Sequence, residues 1–192
     1  GEQHYDIGND VFEQMLDPHM NYSCGFWESA QNLVEAQVAK MEMICAKLRL
    51  EPGMKVLDVG CGWGGLARWM AGHHGVQVTG VTVSVEQAKL ARDRCADLPV
   101  DIEVRDYREL EGEFDRILSV CMFEHVGQRN YQTFFSKTRS LLKDQGLFLL
   151  HTIGAGRDGF ATDRWIEKYI FPNGVLPPAP VLARQAGAFF TI

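Results

Sequence analysis

The sequence of 192 residues predicts an α/β fold with a doubly wound parallel sheet. Between residues 53 and 154, five short runs of β-branched and aliphatic residues alternate with stretches of helical periodicity. The first run, residues 56–59, ends in a glycine-rich turn that is followed at once by a helical pattern. Strand, helix and strand in that order imply a right-handed parallel βαβ unit, and repetition of this unit builds a parallel sheet.

The composition is that of one globular domain. Apolar residues make up 46% and charged residues 23% of the chain, which is ordinary for a protein with a buried core. The net charge of −6, without a long cluster of Lys and Arg, argues against nucleic acid as the main partner. The chain also lacks the uninterrupted apolar stretch of about 18 residues that a transmembrane helix needs.

Five cysteines are spread through the chain, and none forms a CxxC pair. An odd, widely spaced set argues against both a disulfide framework and a zinc knuckle. We therefore expect a reduced, cytoplasmic setting. Because the chain starts at Gly1 without an initiator Met, we also expect it to be a fragment of a longer protein.

The first 52 residues predict helices and a loop ahead of the sheet. A short helix is expected over residues 9–17, where apolar side chains recur at helical spacing before Pro18. The aromatic loop that follows, residues 20–27, is either pinned to the core by its rings or a lid over the glycine turn. A long helix then ends at Pro52-Gly53, and its apolar repeat predicts packing only. The positions of that repeat are Val34, Val38, Met41, Cys45 and Leu48.

Three further helices and four further strands complete the alternation. The helix after the glycine turn ends at Gly75, the next runs from Ser84 to about residue 96, and the last is stopped by Gly146. The remaining strands are predicted at residues 76–82, 100–105, 114–120 and 147–150.

The pattern changes after Gly154. An apolar cluster around Trp165 and Tyr169 predicts a short helix ended by Pro172, and a proline-rich stretch follows. Residues 188–192 are rich in aromatic and β-branched side chains and predict the beginning of a sixth strand. We therefore expect a sheet that is truncated at its C-terminal strands.

The glycine turn fits two cofactor patterns. Its glycines match the dinucleotide pattern GxGxxG at Gly60, Gly62 and Gly65. Counted from Asp58, the same turn matches the DxGxGxG pattern of enzymes that bind S-adenosylmethionine (SAM). A dinucleotide site requires an acidic residue at the tip of the second strand, and residues 76–84 contain none. The cationic amino and sulfonium groups of SAM suit the Asp58 carboxylate, so the sequence favours SAM over NAD or a purely structural turn.

Two pairs of residues near the expected crevice have open interpretations. Ser84 and Gln87 match a capping box, in which Gln87 folds back onto the helix end, but Gln87 could also reach a ribose hydroxyl. Asp106 and Tyr107 follow the third strand, where the acid could accept from an adenine amino group and the ring could stack on the base. A solvated turn explains Asp106 and Tyr107 equally well.

Glu124, His151 and Cys24 border the same predicted crevice. Glu124 follows the fourth strand, His151 follows the fifth, and Cys24 belongs to the aromatic loop. Singly, they are explained as a surface acid, a satisfied histidine and a small buried hydrophobic residue. A thiol nucleophile and a zinc site are disfavoured, because no deprotonating partner and no ligand-pair spacing are evident.

Six motifs along the chain resemble the cyclopropane-fatty-acyl-phospholipid synthase family, to which the mycolic acid cyclopropane synthases are related. Many SAM enzymes share the glycine motif, whereas the YSC, FEHVG and KYIFPNG stretches are more specific and the last is similar to the bacterial phospholipid enzymes. The motifs cover essentially the whole chain at residues 4–10 (HYDIGND), 21–24 (NYSC), 57–65 (LDVGCGWGG), 80–87 (GVTVSVEQ), 122–127 (MFEHVG) and 169–174 (YIFPNG).

The resemblance implies methylene transfer from SAM to the cis double bond of an unsaturated phospholipid acyl chain, which forms a cyclopropane ring. It implies a bound bicarbonate ion as the base that removes a methyl proton. The implied bicarbonate ligands are Cys24, Glu124, His151 and Ile153, the last through its backbone N–H. The implied SAM site, to which the glycine pattern adds Asp58, consists of Tyr22, Ser23, Gly60, Gly62, Thr82, Gln87, Asp106 and Tyr107. Gln87 thereby becomes a ribose ligand that can also serve as a cap.

Two features of that family have no counterpart here, namely a tyrosine of the bicarbonate site from a later segment and an additional N-terminal domain. We expect one SAM-binding catalytic core over residues 1–192, divided into helices and a lid loop (1–52), five βα units (53–154) and an acyl-site segment (155–192).

The partners implied by the resemblance are unsaturated phospholipid acyl chains at a membrane surface. The expected location is cytoplasmic and peripheral at the inner membrane face, with a homodimer as an option. Two alternatives stay open. The chain could bind SAM without catalysis, or it could be a SAM-dependent methyltransferase for another acyl or small-molecule substrate.

Overall fold

Five parallel strands form the sheet at the centre of the computed structural model, which describes residues 10–155, 165, 168 and 174–192. The order of the strands in the sheet is β3-β2-β1-β4-β5, and each neighbouring pair is parallel. The predicted doubly wound α/β fold is therefore confirmed. The strands are β1 (Lys55–Val59), β2 (Gln77–Thr82), β3 (Val100–Val104), β4 (Phe114–Val120) and β5 (Leu142–His151).

The winding of the chain reverses between β1 and β4, which are neighbours in the sheet but not in the sequence. Asp58 near the end of β1 is in register with Gly80 of β2 on one side and with Leu118 of β4 on the other. At such a switch point the loops that leave the two strands diverge, and a crevice opens at their carboxyl ends. The glycine turn after β1 and the segment after β4 therefore border the same crevice.

Helices cover both faces of this sheet. Asn32 caps the second helix, where its Oδ1 accepts a hydrogen bond from the Glu35 N–H at 3.0 Å. Within the residues that the structure describes, none of the helices has the length and hydropathy needed to cross a membrane. The α-helices are α1 (Asp10–Met15), α2 (Leu33–Leu48), α3 (Gly65–His74), α4 (Val85–Cys95), α5 (Tyr131–Leu141) and α6 (Ala179–Ala186), and short 3₁₀ turns occur at Tyr107–Glu109, Phe123–His125 and Gln128–Asn130.

Each face of the sheet carries its own apolar cluster. On one face, Phe134 and Phe135 of α5 are fully buried against the strands. On the other face, Met41 of α2 and Met70 of α3 are fully buried. Met41, Cys45 and Leu48 of the predicted α2 repeat are buried, whereas Val34 of that repeat is 42% exposed. In α1, Phe12 is buried, but Val11 and Met15 are exposed.

Strand β5 begins earlier than predicted. We expected Gly146 to stop a helix and a strand to follow at residues 147–150, but β5 starts directly after α5. Leu142 pairs with Phe114 whereas Leu147 pairs with Arg116, so β5 carries extra residues opposite β4. This irregularity is a bulge, and a Cβ on Gly146 would lie 2.6 Å from the Leu142 side chain. Gly146 therefore permits a bulge and does not end a helix.

The predicted start of a sixth strand at residues 188–192 is wrong. These residues follow α6 as turns, in which the N–H groups of Phe189 and Phe190 both donate to the carbonyl oxygen of Ala186 at 2.9 Å. Both rings pack against the cluster on the α5 side. Helix α6 itself was missed because prolines precede it, although proline is compatible with the first helical turn.

Predictions on residues 1–9 and on most of residues 156–173 lie outside the described part of the chain. These are the motif at 4–10, the short helix after Gly154 and the YIFPNG motif. Trp165 and Lys168 are described, and both are helical and exposed.

Candidate functional site

The glycine turn is shaped by backbone conformations that favour glycine. Gly60, Gly62 and Gly64 have φ angles of 87°, 55° and 78°. The N–H groups of Gly60 and Cys61 donate to the carbonyl oxygen of Val81 at 2.9 and 3.0 Å, which ties the turn to β2. Helix α3 starts at the end of the turn, so its N-terminal N–H groups point towards the crevice.

A cavity of about 620 Å³ opens above this turn. It lies at the carboxyl ends of the strands, where the fold class places a ligand. Each residue that we predicted for the SAM site contributes to its wall. These residues are Tyr22, Ser23, Asp58, Gly60, Gly62, Thr82, Gln87, Asp106 and Tyr107. The structure therefore brings all nine together, although what they bind stays a prediction.

Asp58 is a buried acid in the wall of this cavity, with 2% of its surface exposed. Burial raises the pKa of Asp58 from 3.8 to about 7. A cation in the cavity would favour the charged form of the carboxylate. This environment suits a ligand with a positively charged group near the end of β1.

Of the capping box predicted at Ser84 and Gln87, the structure contains the Ser84 cap but not the return of the Gln87 side chain to the helix end. Ser84 Oγ accepts a hydrogen bond from the Gln87 N–H at 3.2 Å, as an N-cap does. The Gln87 side chain does not return to the helix end, because the Ser84 N–H donates to Thr82 Oγ1 at 3.2 Å. Gln87 Oε1 instead accepts from the Thr82 hydroxyl at 2.9 Å. That bond holds the amide of Gln87 in the cavity wall.

Asp106 and Tyr107 belong to a turn and also line the cavity, so both interpretations of this pair apply to their positions. The Asp106 carboxylate accepts from the backbone N–H and the Nε of Arg108, each at 2.9 Å, and so caps a 3₁₀ turn. The hydrogen bond from the Arg108 side chain lowers the pKa of Asp106. Tyr107 packs edge-on against Phe134, with 5.3 Å between the ring centroids. Both residues also line the cavity, so the turn fixes their positions there.

One part of the aromatic loop is packed against the fold, and another part is exposed. Tyr22 belongs to a cluster with Phe12 of α1 and Trp63 of the glycine turn, in which the Phe12 and Trp63 centroids are 4.7 Å apart. Tyr22 is thus pinned to the fold and covers the turn. Phe26 and Trp27, by contrast, are exposed.

The predicted bicarbonate ligands gather beside the cavity and are not part of its lining. Glu124 Oε1 accepts the backbone N–H of Ile153 at 2.7 Å, and Glu124 is buried. Its Oε2 is also buried and has no hydrogen-bond partner among the described residues. The carbonyl oxygen of Glu124 accepts from the Val175 N–H at 2.9 Å, so three chain segments meet at this residue.

His151 lies between two thiols. Its Nε2 is 3.5 Å from Cys24 Sγ, and its Nδ1 is 3.6 Å from Cys121 Sγ. Burial lowers the pKa of His151 and raises the pKa of Cys121 to about 12. Cys121 therefore stays protonated and is a poor nucleophile. Cys121 also lines the cavity and so links the cavity to the group of Cys24, Glu124, His151 and Ile153.

Lys40 is a cavity residue that the sequence reasoning missed. It lies on α2, which we had assigned to packing alone, and only 2% of its surface is exposed. Its Nζ donates to Ser23 Oγ at 2.5 Å, and burial lowers its pKa to about 8. One turn earlier, Gln37 Nε2 donates to the Ser23 carbonyl oxygen at 2.8 Å. The available signal was a lysine in the stripe of Ala36, Ile44 and Leu48, where a buried face expects apolar residues.

Comparison with known proteins gives a consistent set of similarities. The sequence profile of the family described as "Mycolic acid cyclopropane synthetase" matches residues 1–191. The cyclopropane-fatty-acyl-phospholipid synthase of Escherichia coli (strain K12) is 55% identical over 192 residues, which is all of this chain and 50% of that protein. This chain thus spans about half the length of that curated relative.

Relatives of more similar length act in mycolic acid modification, according to their names. Cyclopropane mycolic acid synthase 1 of Mycobacterium tuberculosis (strain H37Ra) is 35% identical over 205 residues, covering 97% of this chain and 71% of that protein. The crystal structure of the mycolic acid cyclopropane synthase CmaA1, complexed with S-adenosylhomocysteine (SAH) and CTAB, superposes with a TM-score of 0.92 at 34% identity. That match covers 100% of this chain and 74% of the other.

Proposed function

This chain belongs to the mycolic acid cyclopropane synthetase family, and from that premise we propose that it takes part in SAM-dependent methylene transfer. The proposed acceptor is the cis double bond of an unsaturated phospholipid acyl chain, and the product is a cyclopropane ring. The name of the Escherichia coli relative supports a phospholipid acyl chain as substrate. The observation that carries the proposal is the pair of adjoining sites, a cavity lined by all nine predicted SAM residues and a group of Glu124, His151 and Cys24 beside it.

SAM is proposed to occupy the cavity, where it supplies an electrophilic methyl group. The glycine turn allows the backbone to approach the cofactor closely, and the N-terminus of α3 lies behind it. Gln87 and Asp106 are proposed to hold the ribose and the adenine. Asp58 provides negative charge for the cationic part of the cofactor. The protein thereby positions the methyl group near the end of β4, where an alkene must be aligned for attack.

Bicarbonate is proposed as the base. One feature of the residues beside the cavity suits it, namely a buried carboxylate oxygen that needs a hydrogen-bond donor. Glu124 Oε2 is a buried acceptor without a donor among the described residues, and the O–H of bicarbonate is a donor of the kind it requires. Bicarbonate would supply the group that takes up a methyl proton. His151 and Cys24 would complete its surroundings. The N–H of Ile153 is already donated to Glu124, so its predicted role towards bicarbonate requires that this N–H be shared.

The second half of the reaction requires protection from water. Methyl transfer to an alkene leaves a carbocation on the acyl chain, which water would capture before the ring closes. Glu124, His151 and Cys121 are all at least partly buried, and the segment at Val175 lies over the backbone of Glu124. We propose that residues 155–192 contribute to the acyl site, as the sequence predicted.

The full-length gene product is tested with vesicles of an unsaturated phospholipid and isotopically labelled SAM, followed by mass analysis of the acyl chains. The proposal expects a labelled gain of one CH₂ per modified chain, and none with vesicles of a saturated phospholipid. Unchanged acyl chains would refute it. SAM binding without product would support the alternative of a binding module. Label transferred to another molecule would support a different methyltransferase.

Three further parts of the proposal are tested with the same protein and vesicles. Removing bicarbonate from the buffer should lower turnover, and adding it back should restore the rate. Flotation with the vesicles tests peripheral binding at the inner membrane face, and light scattering tests a homodimer.

A further inference from the structure

A buried cation forms part of the cavity wall, and although the Asp17 carboxylate acts on it electrostatically, no carboxylate of the described residues lies within salt-bridge distance of it. Lys40 is almost completely buried and contributes to the cavity lining. None of the ion pairs found among the described residues involves it. A buried ammonium is costly unless an anion or several hydrogen bonds compensate it. The site therefore has a place for an anionic ligand group.

The hydrogen bond of Lys40 determines how Ser23 can act. Because Lys40 Nζ donates to Ser23 Oγ at 2.5 Å, the hydroxyl proton of Ser23 is free to point to a different acceptor. Gln37 holds the Ser23 backbone in place through the carbonyl oxygen. Ser23 also lines the cavity. The cavity wall thus offers a hydroxyl donor that is backed by a positive charge.

The sheet order places this donor at one end of the cavity. Thr82 ends β2, and Gln87 and Asp106 follow β2 and β3, on one side of the switch point. Lys40 donates to Ser23, and the next residue, Cys24, is 3.5 Å from His151 at the end of β5, on the other side. Asp58, at the end of β1, lies between these two sides. A ligand whose nucleoside occupies the β2 and β3 side therefore extends its other end towards Asp58 and Lys40.

We propose that Lys40, together with Ser23, binds the α-carboxylate of the methionine portion of SAM, while Asp58 faces its α-amino group. An α-amino acid carries one positive and one negative charge. This end of the cavity contains one buried acid, Asp58, and one buried base, Lys40. Among the described residues of the cavity wall, Arg105 is the other Lys or Arg, and it is already paired with Glu103 at 3.1 Å. The proposal rests on SAM as the cofactor of the proposed function, and it adds Lys40 to the site.

The test compares two ligands that differ in the amino acid portion. SAH contains this portion, whereas 5′-deoxy-5′-methylthioadenosine keeps the adenosine and the thioether but lacks it. Dissociation constants are measured by calorimetry for the wild-type full chain, for Lys40→Met, and for Lys47→Met as a control that removes an exposed charge from the same helix. Lys40→Met should weaken SAH binding by about tenfold or more and leave methylthioadenosine within about twofold. Lys47→Met should change neither.

Other outcomes overturn the assignment. An equal loss for both ligands would mean that Lys40 only supports the cavity, and an unchanged SAH affinity would mean that it binds no part of the cofactor. A changed bicarbonate dependence of turnover with unchanged SAH binding would assign Lys40 to bicarbonate instead. If Lys40→Met does not fold, Ser23→Ala is measured with the same two ligands and should show the same selective loss.

The proposed function can fail separately. If the wild-type protein binds SAH but produces no cyclopropane, the proposed function is refuted while the role of Lys40 is still decided by the two ligands. If the wild-type protein does not bind SAH, the role of Lys40 is refuted as well.

Discussion

Glu124 Oε1 accepts the backbone N–H of Ile153 at 2.7 Å, which joins the segment after β4 to the segment after β5. This bond fixes the orientation of the carboxylate. The other oxygen, Oε2, is left buried without a partner among the described residues. A buried carboxylate oxygen in this state is costly for stability, so its retention points to a ligand that completes its hydrogen bonding.

Glu124→Gln should lower turnover far more than cofactor affinity. The Gln amide oxygen can still accept from Ile153, but its NH₂ group then replaces the acceptor Oε2. We expect turnover to fall by at least about a hundredfold while SAH binding stays within about twofold. Lipid mass analysis and calorimetry measure the two effects, with Glu109→Gln on an exposed turn as the control. Equal losses in turnover and SAH affinity would contradict the role given to Glu124.

Asp58→Asn should stabilise the protein without ligand, and more so at high pH. Because the pKa of Asp58 is raised from 3.8 to about 7 on folding, the folded state binds more protons than the unfolded state between these values. The free energy of unfolding therefore falls as the pH rises through this window, by at most roughly 4 kcal/mol.

Thermal melting at pH 5 and pH 8 provides the measurement for Asp58→Asn. The melting temperature of the variant should exceed that of the wild type by more at pH 8 than at pH 5, whereas its SAH affinity at pH 8 should be lower. The same difference in melting temperature at both pH values would show that Asp58 does not titrate in this range.

Gln87→Met should weaken cofactor binding with little change in stability. Its amide accepts from the Thr82 hydroxyl in the cavity wall, whereas the cap of α4 is formed by Ser84. We expect SAH affinity to fall by about tenfold in Gln87→Met. Ser84→Ala should instead lower the free energy of unfolding by about 1 kcal/mol and leave SAH affinity nearly unchanged. If the two variants show the reverse pattern, Gln87 is a cap and not a ribose ligand.

Gly65→Ala should destabilise the packing of the segment at His19 against the start of α3. A Cβ on Gly65 would overlap the carbonyl oxygen of His19, so the segment before the aromatic loop must move. We expect a loss of about 1–3 kcal/mol in the free energy of unfolding, together with weaker SAH binding.

Gly72→Ala is the matched control for that variant. Gly72 lies in the same helix, and its Cβ would come no closer than 3.7 Å to the Leu98 side chain. This substitution should be neutral or stabilising, by up to about 1 kcal/mol, because alanine is the better helix former. Denaturant unfolding distinguishes the two variants, and similar losses in both would show that the contact with His19 is unimportant.

Local chemistry made much of this fold predictable from the sequence. The strands alternate with amphipathic helices, and the glycine turn needs conformations that few other residues adopt. Ser84 was predicted as a cap because a hydroxyl at that position satisfies the first N–H groups of a helix. The nine residues around the cavity were found through their motifs.

Features that depend on contacts distant in the sequence were not predictable. The early start of β5 depends on Leu142 pairing with Phe114 across a bulge. Phe189 and Phe190 have strand-like composition, but they close a turn on the α5 cluster instead. Lys40 was not singled out, because its place in the cavity wall depends on a hydrogen bond to Ser23 in the loop ahead of α2.

The contact between Phe12 and Trp63 packs helix α1 against the glycine turn. Helix α1 has 6 residues, and a helix of that length is stabilised mainly by the packing of its buried side chains. Trp63 of the glycine turn thus lines the cavity and also holds the first helix in place, so a change in the shape of this turn affects both.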